Sequence, residues 1–73
     1  MPKYYVNICP YNGREPEVHV EGCIYLQRAD PRYTPMIGEY PSCFEAVAAA
    51  KMVIFSADGC AFCCPDCDHD RTW

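Results

Sequence analysis

Seventy-three residues with a formal net charge of −4 and seven cysteines make one small domain. A core that size contributes only about 3–5 kcal/mol, so a metal or disulfide staple is expected. The six basic residues, Lys3, Arg14, Arg28, Arg32, Lys51 and Arg71, are scattered, which argues against strong binding to a phosphate backbone.

No stretch approaches the ~20 apolar residues of a membrane span. The longest apolar region, residues 47–55, is broken by Lys51. The opening Met1-Pro2-Lys3-Tyr4-Tyr5-Val6 lacks an apolar run of signal-peptide length. These features predict an intracellular, cytoplasmic protein, where clustered cysteines bind metal more often than they pair.

Residues 3–8 read as a strand, with Tyr4, Val6 and Ile8 on one face and Tyr5 and Asn7 on the other. Residues 9–16 are rich in turn formers, among them Asn12-Gly13, a strong hairpin signal. Glu17 to Val20 returns as a second strand, with His19 pointing away from Val18 and Val20. Left on an open strand face, His19 would meet solvent; the alternative is that it binds a metal.

Cys23 to Leu26 is expected as a turn or a short extended piece, residues 27–35 as a polar loop, and residues 36–40 as a third strand. Pro41-Ser42-Cys43-Phe44-Glu45 starts a helix running from 43 to about 53, Ser42 and Glu45 having the spacing of a capping box. Phe44, Val47, Ala48, Met52 and Phe55 form the expected core stripe. The alanines opposite offer a face that a protein partner, or a second copy of the chain, would cover.

Asp58-Gly59 then turns the chain into Gly59-Cys60-Ala61-Phe62-Cys63-Cys64-Pro65-Asp66-Cys67-Asp68-His69-Asp70, with two Cys-x-x-Cys units in a row. A Cys-x-x-Cys turn brings two thiolates to one side, and a tetrahedral Zn2+ takes four ligands. His19-x-x-x-Cys23 supplies the upstream pair. Cys60 and Cys63 are the favoured downstream pair, because Gly59 suits a tight turn; Cys64 and Cys67 are the alternates. Pro65 suits the first position of a last helical turn over 65–70. Cys9 and Cys43 read as small unreactive residues, with a Cys9–Cys43 or Cys43–Cys67 disulfide possible in an oxidising compartment.

Four such ligands would close a zinc site, and no catalytic serine, phosphate-loop or His-x-Glu pattern is present. The chain therefore reads as a non-enzymatic, zinc-stapled α+β domain with a hairpin or three-stranded sheet, one helix and a C-terminal cysteine knuckle. Its expected role is to bind another macromolecule, most simply a protein. A disulfide-stapled or thiol-redox protein is the alternative.

The order of these motifs, His19 to Leu26, then Ser42 to Ala50, then Cys60 to Cys63, resembles the Ada-type metal-binding module over about half the chain. That resemblance implies a zinc-centred α+β unit and a second functional reading, a nucleic-acid-associated module using Arg28, Arg32 and exposed tyrosines. It does not imply repair activity: the family's methyl-accepting cysteine is the first ligand, and His19 stands at that position. The segment between the ligand pairs is also longer here. The chain also looks like a group of small cysteine-rich bacterial proteins that share its Lys-Tyr-Tyr-Val-Asn opening; that likeness implies no activity.

Overall fold

The computed structural model describes residues 1–9 and 15–67. A four-stranded sheet has the order β3-β1-β2-β4, with β1 at Lys3–Asn7, β2 at Glu17–Val20, β3 at Met36–Glu39 and β4 at Asp58–Gly59. A short helix, α1, spans Ile24–Arg28, and the main helix, α2, spans Cys43–Lys51. This is the expected α+β class, with one more strand than expected.

β1 and β2 pair antiparallel, from Tyr4 opposite Val20 to Asn7 opposite Glu17. The Asn12-Gly13 turn lies outside the described residues. On one face Val6 sits across from Val18, and both are buried with Tyr4 beneath α2. Alternation places Tyr5 and His19 on the other face as a cross-strand pair. His19 is only 1% exposed, so it does not face solvent as an open strand would have it; the sulfurs of Cys23 and Cys63 lie against its ring.

β4 corrects the expected turn at Asp58-Gly59. These two residues run parallel to β2, with Glu17 opposite Asp58 and Val18 opposite Gly59. Backbone groups make the pairing: the Asp58 amide donates to the Pro16 carbonyl at 2.9 Å, and the Cys60 amide donates to the Val18 carbonyl at 3.0 Å.

The segment after Cys23 is helical rather than extended, and a 3-10 turn at Pro31–Tyr33 occupies part of the expected loop. The Asp30 carboxylate caps that turn by accepting from the Arg32 amide. A second 3-10 turn, Pro65–Cys67, begins at the expected proline; residues 68–70 lie outside the described residues.

α2 starts where the Ser42 signal placed it, but its inner face is not the expected one. Ser42 and Glu45 bond to each other through their side chains, and Ser42 makes no side-chain bond to the helix backbone. Ala46, Val47 and Ala50 are the buried positions. Of the expected stripe only Val47 is buried; Phe44, Ala48, Met52 and Phe55 are exposed, Phe55 at 92%. Phe44 and Ala48 lie on the outward side of α2, and Met52 and Phe55 lie beyond its last residue, Lys51. Small side chains let the helix backbone come close to the sheet, and close packing of the remaining apolar surface follows from that. Among the described residues no helix is long and apolar enough to cross a membrane.

Candidate metal centre

The centre is assembled at one end of β2. The strand ends at Val20, and Gly22 takes a left-handed conformation (φ +89°) that an L side chain rarely adopts. The Cys23 amide then closes back on the Val20 carbonyl at 3.1 Å. This turn returns the Cys23 sulfur to within 3.7 Å of His19 Nδ1. Cys23 also begins α1, its carbonyl accepting from the Leu26 and Gln27 amides.

The downstream pair arrives through β4. Because Cys60 continues the parallel pairing with β2, the knuckle opens beside His19. The Cys64 amide donates to the Cys60 carbonyl at 2.8 Å and closes the turn. That turn places the Cys63 sulfur 3.8 Å from His19 Nδ1. Two backbone amides point at the sulfurs: Phe62 N–H donates to Cys60 Sγ and Val20 N–H to Cys63 Sγ, each at 3.4 Å. Donors of this kind favour the thiolate form.

His19, Cys23, Cys60 and Cys63 each offer one ligand atom, and all four atoms lie within 4.8 Å of one another. The group can hold a metal ion. His19, Cys23 and Cys60 are buried, and Cys63 is half-buried. Cys64 and Cys67, the alternates, are also buried but join the apolar core under α2. The two Cys-x-x-Cys units abut, Cys63 Sγ lying 3.9 Å from Cys64 Sγ, but of their sulfurs it is those of Cys60 and Cys63 that join His19 and Cys23.

Without an ion, the packed thiols oppose ionisation. The Cys60 thiol donates to Cys63, and that bond and then burial push it up to about 12. At Cys63 the bond to Cys60 pulls downward, but Cys64 and burial outweigh it and leave the thiol raised. A bound cation would reverse that balance by accepting the thiolates directly.

Two neighbours of the group carry no spacing signature in the sequence. Glu17 Oε1 stands 3.9 Å from His19 Nε2, the ring nitrogen turned away from the sulfurs. Alternation puts residues 17 and 19 on one face of β2, which is the only signal that could have linked them. Tyr25 of α1 meets Phe62 of the knuckle edge-on, ring centres 5.5 Å apart, and so ties the two halves of the site together. Gly59 serves close approach rather than turn geometry. A Cβ there would lie 2.7 Å from Cys67 Cβ and 2.9 Å from the Cys64 carbonyl oxygen.

Arg32, one of the two arginines of the sequence-based nucleic-acid reading, is held in a forked pair with Asp30, Nη2 to Oδ2 being 2.9 Å. Comparison with protein-family models, curated proteins and solved structures gave no match to this chain.

Proposed function

We propose that this chain is a small structural-zinc module that works in the cytoplasm by binding another protein. The observation that carries the metal half is the convergence of one imidazole and three thiols from two separate segments, 19–23 and 60–63. Zinc–sulfur bonds of about 2.3 Å and zinc–nitrogen bonds of about 2.0 Å in a tetrahedron put sulfur and nitrogen about 3.5 Å apart. The two sulfur–Nδ1 distances, 3.7 and 3.8 Å, fit that edge. A Cys3His set is a common zinc donor set, and four protein ligands leave no position for substrate water. Thiolate ligands persist in a reducing compartment, which supports the cytoplasmic location.

The partner half rests on surface chemistry. Met52, Val53 and Phe55, at and beyond the end of α2, are each at least 87% exposed. Val53 also lines a cleft of about 600 Å3, together with Val6, Ile8, Ile37, Ala49 and Ile54. Apolar surface of this kind suits a protein more than a nucleic acid.

Stepwise chelation followed by circular dichroism tests the metal half. A structural zinc gives a melting temperature that falls as metal is lost and returns when zinc is restored. A melting temperature unchanged by complete metal removal would contradict a structural role. Titration with duplex DNA at low and high salt tests the partner half: salt-sensitive binding would favour the Ada-type reading over a protein partner.

A further inference from the structure

The cysteines left outside the metal group are not equivalent. Cys43 Sγ and Cys67 Sγ are 2.6 Å apart, whereas the sulfurs of Cys63 and Cys64 are 3.9 Å apart. Two thiolates on one zinc stand about 3.8 Å apart, so 2.6 Å is too short for an ion-bridged pair. It is within about 0.6 Å of a disulfide bond. We propose that Cys43 and Cys67 form a second thiol site, a dithiol that a hydroperoxide converts to an intramolecular disulfide while the metal group stays intact.

Placement supports the assignment. Cys43 is the first residue of α2 and is half-buried. Cys67 ends the Pro65–Cys67 turn, is 2% exposed, and has its amide bonded to the Cys64 carbonyl at 3.0 Å. The bare Cα of Gly59 is what admits Cys67 at this depth. Burial, and next the neighbouring Cys43 thiol, push the Cys67 thiol up to about 12. Cys43 is thus the sulfur that meets the oxidant, and Cys67 is the partner that resolves it. Of the other two cysteines outside the metal group, Cys64 is buried in the core and Cys9 is exposed.

The chemistry balances with the hydroperoxide as the sole oxidant. Cys43 sulfur attacks the terminal peroxide oxygen; an S–O bond forms, the O–O bond breaks, and an alcohol (water, for hydrogen peroxide) leaves with the thiol proton. Cys67 sulfur then attacks the sulfenic sulfur; the S–S bond forms, the S–O bond breaks, and the hydroxyl leaves as water with the Cys67 proton. Two thiols lose two electrons in all, and an external thiol reverses the change. The product fastens the first turn of α2 to the end of the cysteine knuckle.

The test treats metal-loaded and metal-free protein with one equivalent of hydrogen peroxide, followed by alkylation, digestion and mass spectrometry. The expected product in both is a single peptide pair joined through Cys43 and Cys67, with metal retained in the loaded sample. Cys43→Ser should abolish the pair, and Cys9→Ser should leave it unchanged. Cys43 recovered as an alkylated free thiol or a sulfinic acid would overturn the proposal. Cross-links among Cys23, Cys60 and Cys63 in the loaded protein would also overturn it. The metal-free arm keeps the two readings apart: protein that never binds zinc can still form the pair, and zinc-loaded protein can fail to.

Discussion

The Cys60 amide donates to the Val18 carbonyl at 3.0 Å, and that bond connects the cysteine knuckle to the histidine. Val18 immediately precedes His19, so one backbone pairing brings the downstream thiols beside the upstream ligands. The metal group thus depends on a two-residue parallel strand and on the close packing beneath it.

Gly59→Ala should disturb that packing. Its new methyl would stand 2.7 Å from Cys67 Cβ and 2.9 Å from the Cys64 carbonyl oxygen. The expected cost is about 1–3 kcal/mol, as for overpacking elsewhere. Chemical denaturation of the metal-loaded variant measures it, and an unchanged midpoint would show that the knuckle can shift freely.

Two substitutions in or next to α2 separate its faces. Ala46 is fully buried and Phe55 is 92% exposed. Ala46→Leu should destabilise by about 1–3 kcal/mol, whereas Phe55→Ser should change stability by less than about 0.5 kcal/mol. Thermal melts of the two variants check the assignment, and the reverse ranking would restore Phe55 to the core.

That ranking also marks how far the sequence could be read. His19, Cys23, Cys60 and Cys63 were legible because ligand chemistry depends on residue type and spacing, and both are visible in a sequence. The fold brings those four within 4.8 Å. The strand pair β1–β2 was legible through alternation. The buried face of α2 was not, because side-chain size pointed to Phe44 and Met52 while the sheet takes alanines. β4 was not legible either: Asp58 and Gly59 form a strand through backbone pairing with residues some forty positions upstream, which leaves no mark in side-chain pattern. Gly59 was assigned a turn-forming role; its function is to make room for Cys67.

Glu17→Gln should weaken metal binding without removing a ligand. The carboxylate lies 3.9 Å from His19 Nε2, an electrostatic rather than hydrogen-bonded distance, so the loss should be about tenfold, the lower end for an outer partner of a ligating histidine. Competition with a zinc indicator dye reads it, and unchanged affinity would remove Glu17 from the site.

Metal-free and metal-loaded protein should respond to pH with opposite signs. In the metal-free fold the Cys60 thiol is raised from 9.0 to about 12, so folding favours its neutral form. That contribution is intact below pH 9 and is lost as pH climbs from there toward about 12. With zinc bound the ligands are thiolates, so apparent stability should instead fall as acid competes for them, by up to about tenfold in affinity per pH unit for each proton displaced. Melting curves of both forms from acid to alkaline pH check the signs; parallel profiles would contradict metal ligation.

The most direct measurement is native mass spectrometry, with a parallel thiol count, of protein purified without added metal. The account predicts one zinc per chain, about one equivalent, held by His19, Cys23, Cys60 and Cys63. Less than about a tenth of an equivalent of metal, with Cys23, Cys60 and Cys63 found in disulfides, would contradict it.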